Sequence, residues 1–531
     1  GFDYLGNSVT GKQSIEKFLL DRSIGAFQPI YMAAWVQDKF VFKDLIVRIG
    51  VRMERYDANQ LVLKDPYSLA PIYTVGDVQR NNLLSLGSAI PSNIGSNYAV
   101  YIDNEKQTPG ETHISGFRNG NDWYDANGNP VTDPKTLYIN SVNNYRSTIS
   151  RNVPYLVNAG QKLPSAASFT DYIPDVKFLP RVYFSFPISS TAQFFGTYDV
   201  LAQRPTQGLN VARFDDYYYL NNKLTQTIGN PDLKMTQVTD YNIGFSQQIS
   251  DNSALKLTAA YREFRNLLQT YRYVQAWPYD YTTFGNLDFS TVKSLSVEYQ
   301  LRDAGNVNIN ASYTLQFADG TGSNAGSSAS LVQSGLAQQR NIFPLDFDTR
   351  HALKGVVGYE YKPGKDYNGP VVAGKKIFER AGVNMIFNYV SGRPYTQILQ
   401  PITTTQDGVV QRTQVKGTYN SASLPSQFYV DLNIQKIFIM RSTNIEGKTS
   451  NYALRIYLEV QNIFNAANVL SVYQYTGSAY SDGYLNSPQA TTAKNNATNT
   501  QSFIDLYNTR VVNPGSFALP RLTRLGISLS F

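Results

Sequence analysis

Asp125, Asn127 and Asn129 stand at i, i+2 and i+4 in the segment DWYDANGNPVTD (122–133), the spacing at which a calcium loop offers its first side-chain oxygens to the ion. A complete loop of that kind ends on a bidentate acid at its twelfth position, and here that position is Thr136. The same residues spell an Asn-Gly turn between two short strands. A second constellation is Asp215-Asp216-Tyr217-Tyr218-Tyr219, joined by Trp277, Tyr279 and Asp280 of the segment WPYDY (277–281) if the two loops fold together. Large rings give contact area at small entropic cost, and carboxylates beside them orient hydroxyls or bind cations. Packing of the loops among themselves would use the same rings.

Catalytic chemistry has few residues to draw on. The 531-residue chain has no cysteine and two histidines, His113 and His351, with neither a GxSxG nor an HExxH spacing. Thiolate nucleophiles, disulfides and thiolate metal sites are excluded, no catalytic residue is assigned, and no cofactor is expected. No glycine-rich loop opens a helix and no aromatic-basic motif for nucleic acid is present. The excess of Lys+Arg 47 over Asp+Glu 40 makes the chain mildly basic, which selects no partner.

The elements that would position these groups are strands. In Leu45–Glu54, Leu45, Val47, Ile49, Val51 and Met53 alternate with Ile46, Arg48, Gly50, Arg52 and Glu54, a period of two with charge on one face. The pattern returns at 182–188, 255–262, 295–301, 307–313 and 454–461. Thirteen strands are expected, near 30–41, 45–56, 178–188, 192–203, 236–249, 254–268, 284–302, 307–318, 350–362, 380–391, 427–439, 451–463 and 519–531. Tight turns before Leu45, Ala192, Ala254 and Val307 alternate with long connections at 57–177, 204–235, 319–349, 392–426 and 464–518. Short turns on one rim and long loops on the other mark a transmembrane antiparallel β-barrel, with the short rim periplasmic and the loops extracellular. The 39 tyrosines suit aromatic girdles at the two membrane interfaces. Arg48, Arg52, Arg181, Lys256, Arg262 and Arg455 fall on the inward face, where a salt-bridged wall is expected.

Several segments in order carry a resemblance: AAWVQDKFVFKDLIVRIGVRMERYD (33–57), GNPDLKMTQVTDYNIGFSQQIS (229–250), FPLDFDTRH (343–351), NYVSGRPYT (388–396), VDLNIQKIF (430–438) and LEVQNIFN (458–465). Together they resemble the C-terminal part of a TonB-dependent outer-membrane receptor of the Bacteroidota type, related to Oar-like and carboxypeptidase-regulatory-domain receptors. The resemblance implies an outer-membrane protein of a Gram-negative bacterium, not an enzyme, that imports a ligand caught by its extracellular loops with energy relayed through TonB, ExbB and ExbD. The other reading is a receptor-like barrel serving as an assembly partner in an outer-membrane complex, in contact with a surface lipoprotein. Outer-membrane lipids and lipopolysaccharide are implied in either case.

A member of that family also has a signal peptide, a TonB-binding box and a plug, and the sequence shows none of these. With Phe531 read as the terminal aromatic of the barrel assembly signal, an odd number of strands leaves residues 1–28 outside the cell. The expectation is therefore roughly the last thirteen strands of a twenty-two-strand barrel over 29–531, with an extracellular insertion at 57–177 and ligand contacts at Asp215, Asp216, Tyr217, Tyr218, Trp277, Tyr279 and Asp280.

Overall fold

The computed structural model describes residues 7, 8, 18, 26–81, 83, 90–137, 139–143, 146–150, 152–206, 208–220, 227–333, 340–401, 414–443 and 449–530. Phe531 and most of 1–28 lie outside them. Thirteen strands form one antiparallel sheet in sequence order: β1 (Ile30–Phe42), β2 (Leu45–Asp57), β3 (Asp175–Pro187), β4 (Ala192–Gln203), β5 (Thr236–Ser250), β6 (Ser253–Tyr273), β7 (Tyr281–Ala304), β8 (Val307–Gly320), β9 (His351–Glu360), β10 (Ala381–Val390), β11 (Gln427–Thr443), β12 (Thr449–Gln461) and β13 (Leu522–Ser530). The short strand Phe343–Pro344 adds to the end of β8. Among the described residues no pairing joins β1 to β13, so the sheet has two open edges. Its meander order and alternating faces are consistent with a β-barrel-type membrane protein.

Register turns the alternation of single strands into two continuous surfaces. One apolar row runs Ile49, Val182, Tyr198, Tyr241, Tyr261, and another runs Leu301, Ile309, Val357, Met385, Leu432, Val460. This face is uncovered: Ile243 is 54% and Ile527 69% exposed, which no water-soluble sheet of this size would leave so. The opposite face is polar and internally paired. Arg181 meets Asp199 at 3.3 Å, Arg262 meets Asp240 at 2.8 Å, and Lys256 meets Glu298 at 3.5 Å. Arg52 pairs with Glu54, while Arg48 lies over the Tyr183 ring and Arg455 over that of Tyr457. The six basic residues read as a braced inner wall are thus all engaged there.

Strand ends follow from local chemistry. Gly305 and Asn306 close the β7–β8 hairpin with φ of 60° and 72°, the left-handed pair a two-residue turn requires. Where Phe195 faces Gly244 across β4 and β5, its ring occupies the space a Cβ on residue 244 would need. β9 and β10 have 10 residues each and β13 has 9, about what a tilted membrane strand needs.

Two features depart from the reading of the sequence. β6 runs on to Tyr273 and β7 begins at Tyr281, so 269–283, read as outside the strands, is mostly the upper part of a tall hairpin of 21- and 24-residue strands. Apolar alternation fails there because polar side chains are buried: Gln269 donates to Asp288 (2.8 Å) and the Thr270 hydroxyl to the Ala325 carbonyl (2.8 Å). On the short-turn rim, 361–380 is a long connection between β9 and β10 carrying its own small hairpin, Val371–Val372 against Lys375–Lys376.

The insertion between β2 and β3 is a folded unit. β2 and β3 pair directly, from Tyr56 with Asp175 downward, and the intervening chain builds a five-stranded sheet in the order Val153–Pro154, Ala99–Ile102, Ile114–Asn119, Asp122–Asp125, Pro130–Val131. A helix at Val75–Arg80 buries Val75 and Val78 against Val100 and Phe117.

Candidate functional site

The tall β6–β7 hairpin is the post on which the insertion is mounted. At its tip the Trp277 amide donates to the Tyr67 carbonyl (2.9 Å), and the Leu69 amide donates back to Trp277 (3.1 Å). The Trp277 indole donates to the Gln161 carbonyl at 2.6 Å, the Tyr281 hydroxyl to Pro66 at 2.7 Å, and the Gln275 amide group to Pro134 at 2.9 Å.

This seam leaves a cleft of about 510 Å³, lined by Tyr67, Asn121, Trp123, Asp133, Lys135, Tyr271, Arg272 and Arg340 among others. Its walls are rings and its rim is charged. Tyr67 donates to Asn121 at 3.2 Å and shares a 3.3 Å hydrogen bond with Tyr271. Burial pushes the Tyr67 phenol well above the ordinary range, so it stays neutral. Arg272 sits 3.6 Å from Asp280. Beneath the cleft Arg118 is held by Asp65 and Tyr101 and lies 4.3 Å from the Tyr67 ring centroid, fixing that ring from behind. A ring-walled cleft with cations at its rim can hold a polar or anionic ligand by stacking and hydrogen bonds.

The structure brings the two expected clusters together, largely as packing. Asp215 to Tyr218 lie on a short helix, Phe214–Leu220. Tyr217 is 3% exposed and packs at 5.4 Å on Phe169, in one core with Phe214, Ala276 and Tyr281. Tyr218 leans on the same core. Asp215 and Asp216 both reach Arg213, at 3.1 and 3.7 Å. Burial raises the Asp215 carboxyl, against the opposing pull of Arg213. Trp277 is buried with Ala70, Ile102 and Leu156, Tyr279 is half-buried, and Asp280 accepts from the Gln275 amide while facing Arg272. Asp280 is the member of the set tied to the cleft through an ion pair.

The cleft residues Tyr67, Trp123, Tyr271 and Arg272 escaped the reading of the sequence. The strand-forming run QTYRYV (269–274) was the available signal, since extending β6 through it places Tyr271 and Arg272 above the sheet.

In the calcium-like segment, one Asp125 oxygen accepts from the amides of Asn127 and Asn129 (2.9 and 2.8 Å), and the other from the Asn129 side chain (3.0 Å). Gly128 has φ of 82°. That is the Asn-Gly turn between Asp122–Asp125 and Pro130–Val131, its carboxylate used by the turn itself. Among the described residues no group of three or more His, Asp or Glu side chains is arranged to hold a metal. His113 meets Asp103 at 3.1 Å in an exposed loop, and His351 meets the Tyr313 hydroxyl at 2.9 Å at the start of β9.

No protein-family model and no curated protein matches the chain. Among solved structures it is similar to the FrpB iron transporter from Neisseria meningitidis in its apoprotein form, at 8% identity and a TM-score of 0.38, covering 87% of this chain and 46% of that one. It is similar to the outer membrane transporter YddB from Escherichia coli at 11% identity and a TM-score of 0.39, covering 83% and 51%. A third is the ferric-catecholate import receptor Fiu from E. coli K12, at 11% identity and a TM-score of 0.33, covering 84% and 38%. The chain spans about half the length, or less, of the solved structures it matches.

Proposed function

We propose that this chain forms the C-terminal part of the barrel wall and the ligand-catching loops of a TonB-dependent outer-membrane receptor, of the Bacteroidota, Oar-like kind its motif series resembles. The observation that carries the reading is the pair of continuous faces, apolar and uncovered on one side, charged and internally paired on the other. Such a sheet is stable where lipid meets the first face and a polar lumen the second. In this reading the short-turn rim is periplasmic, the insertion and the 204–235 loop are extracellular, and lipopolysaccharide surrounds the upper wall. Import draws on TonB, ExbB and ExbD.

The ligand is received in the cleft between the insertion and the β6–β7 hairpin. Tyr271, Trp123 and Arg272 make contact, and Asp280 holds Arg272 in place. Tyr217, Tyr218 and Tyr279 act beneath it, with Asp215 and Asp216 bracing the helix that carries the first two and Trp277 fixing the hairpin tip.

The test is uptake by whole cells of a panel of ferric chelates, oligosaccharides and peptides. Deleting the gene should abolish uptake of one panel member. A protonophore should stop its import while leaving surface binding intact, and Tyr271→Ala with Arg272→Ala should weaken that binding without loss of the protein from the outer membrane. Uptake unaffected by deletion, protonophore and both substitutions overturns the reading.

A further inference from the structure

The connection between β9 and β10 is unlike the other described connections on its rim. It spans 361–380 where its neighbours on that rim close in a few residues, and every residue from Val371 to Phe378 is exposed. Its hairpin pairs Val371 with Lys376 and Val372 with Lys375, so each side presents one valine and one lysine. An exposed apolar residue beside a long-stemmed cation suits a membrane interface, where the first enters hydrocarbon and the second reaches back to the headgroups.

Beside this hairpin a groove of about 510 Å³ opens on the apolar face of the sheet, with Tyr359, Phe378, Val383, Ile434, Leu458 and Leu525 on its walls. Tyr359, Val383, Ile434, Leu458 and Leu525 are neighbours in register across β9 to β13, so the groove is continuous with the surface assigned to lipid. Phe378 stacks on Tyr361 at 5.8 Å and closes its lower end. Lys436 is the cation that lines the groove, while the ammonium of Lys376, next in sequence to the lining residue Ile377, donates to the Gly364 carbonyl. Lys376, Arg380 and Lys436 all act on one carboxylate, Glu379, and that carboxylate already accepts from the Gly364 amide at 2.6 Å. Over 361–380 there are five cations (Lys362, Lys365, Lys375, Lys376, Arg380) and two acids (Asp366, Glu379), a net of 5 − 2 = +3, of which Lys362 is paired with Asp303 of the neighbouring turn at 2.6 Å.

We infer that this connection and its groove hold one anionic phospholipid of the leaflet at the short-turn rim, an acyl chain lying along Val383, Ile434 and Leu458 and the headgroup phosphate between Lys436 at the groove wall and the hairpin pair Lys375 and Lys376. The inference rests on the membrane-wall reading above and adds to it a specific occupant and a charge preference. An apolar trough alone would take any lipid. The surplus of positive charge at its mouth selects an anionic one.

The test uses the full-length protein purified from membranes and reconstituted in vesicles of phosphatidylcholine containing phosphatidylglycerol as a minor component. Flotation is scored first, and the lipid retained after re-extraction is then measured by mass spectrometry. Wild type should retain phosphatidylglycerol in large excess over its share of the vesicle. The double variant Lys375→Gln, Lys376→Gln should lose that excess, by roughly thirtyfold for two interfacial lysines, while Lys375→Arg, Lys376→Arg keeps it. Ile434→Trp, which fills the groove, should lower retention of both lipids. Protein that floats but shows no excess, or keeps it in the glutamine variant, overturns the inference and leaves the membrane wall standing. Protein that does not float with the vesicles overturns both.

Discussion

Arg118 and Asp65 meet at 2.5 Å across 53 residues of sequence, and their contact ties the insertion's central sheet to the segment that docks on the β6–β7 hairpin. The guanidinium is 5% exposed. It donates also to the Tyr101 hydroxyl (3.0 Å) and the Gly120 carbonyl (2.8 Å), and the rings of Tyr67, Tyr101 and Trp123 lie around it. Burial pushes the Tyr101 phenol up to about 12, so it remains a neutral acceptor throughout the physiological range. The cleft wall is thereby set from below by one cation.

Removing that cation should loosen the insertion and spare the wall. Arg118→Met leaves Asp65 and Tyr101 without their buried partner, a loss on the order of 3 kcal/mol. Hydrogen exchange should show lowered protection in Ala99–Ile102 and Ile114–Asn119 with β5 to β8 unchanged. Unchanged protection in those two strands would mean that the insertion is held by its docking seam instead.

The wall was the most legible part in the sequence. Alternation in β2, β7 and β8 depends on nothing beyond the strand itself, because a sheet with one apolar and one polar face imposes a period of two on every strand in it. The cleft was not, for a physical reason. Its walls come from Tyr67, Trp123 and Tyr271, brought together by a seam of backbone hydrogen bonds around Trp277, and no spacing records a seam between segments so far apart in sequence. Tyr217 and Trp277 could be seen as aromatic residues beside acids. Whether such a ring faces a ligand or a core is decided by its neighbours in space, here Phe169 for the first and Leu156 for the second.

Charge placed on the two faces should have opposite outcomes. Ile309, between Leu301 and Val357 in register, carries the apolar row. Ile309→Arg should cost about 2 to 4 kcal/mol in the bilayer, whereas Arg48→Ala on the other face loses one contact to the Tyr183 ring and should be tolerated. Heat-modifiable migration on gels reads assembly for both. Equal defects would mean that the faces are reversed or that neither meets lipid.

The helix Val75–Arg80 gives the insertion a measurable response to acid. Thr74 caps it by accepting from the Asp77 amide (3.2 Å), and the Asp77 carboxylate accepts from the Thr74 hydroxyl (2.7 Å) and amide (3.0 Å). The Thr74 hydroxyl, then its amide, then Arg80 hold the Asp77 carboxyl below the usual range. A carboxyl depressed on folding contributes stability that is fully present above its unfolded value, about 3.9, and is lost as pH falls through the lower folded value. Exchange protection of Val75–Arg80, corrected for intrinsic rate, should therefore fall only below about pH 4. In Asp77→Asn that acid step should vanish, and Thr74→Ala should cost about 1 kcal/mol at neutral pH. An acid step that survives in Asp77→Asn would assign it to another carboxylate.

Topology gives the most direct check on which rim faces out, and the glycines decide where a tag can go. Gly128 and Gly320 are poor sites: a Cβ at residue 128 would meet Asn93, and one at residue 320 would meet Ser290 inside the β7–β8 pairing. Gly120 and Gly160 have open space around them at φ of 57° and 70°, and Gly326 is exposed in the connection after β8. On the opposite rim Gly305 and Gly374 are equally open, in the β7–β8 turn and the 371–376 hairpin. Epitope tags at 120, 160 and 326 should bind antibody on intact cells, and tags at 305 and 374 only after the outer membrane is permeabilised, if the proposed orientation holds, with long loops outward and short turns toward the periplasm. Labelling of the 374 tag on intact cells would place the basic hairpin in the outer leaflet, among lipopolysaccharide, and invert the orientation of every strand with it.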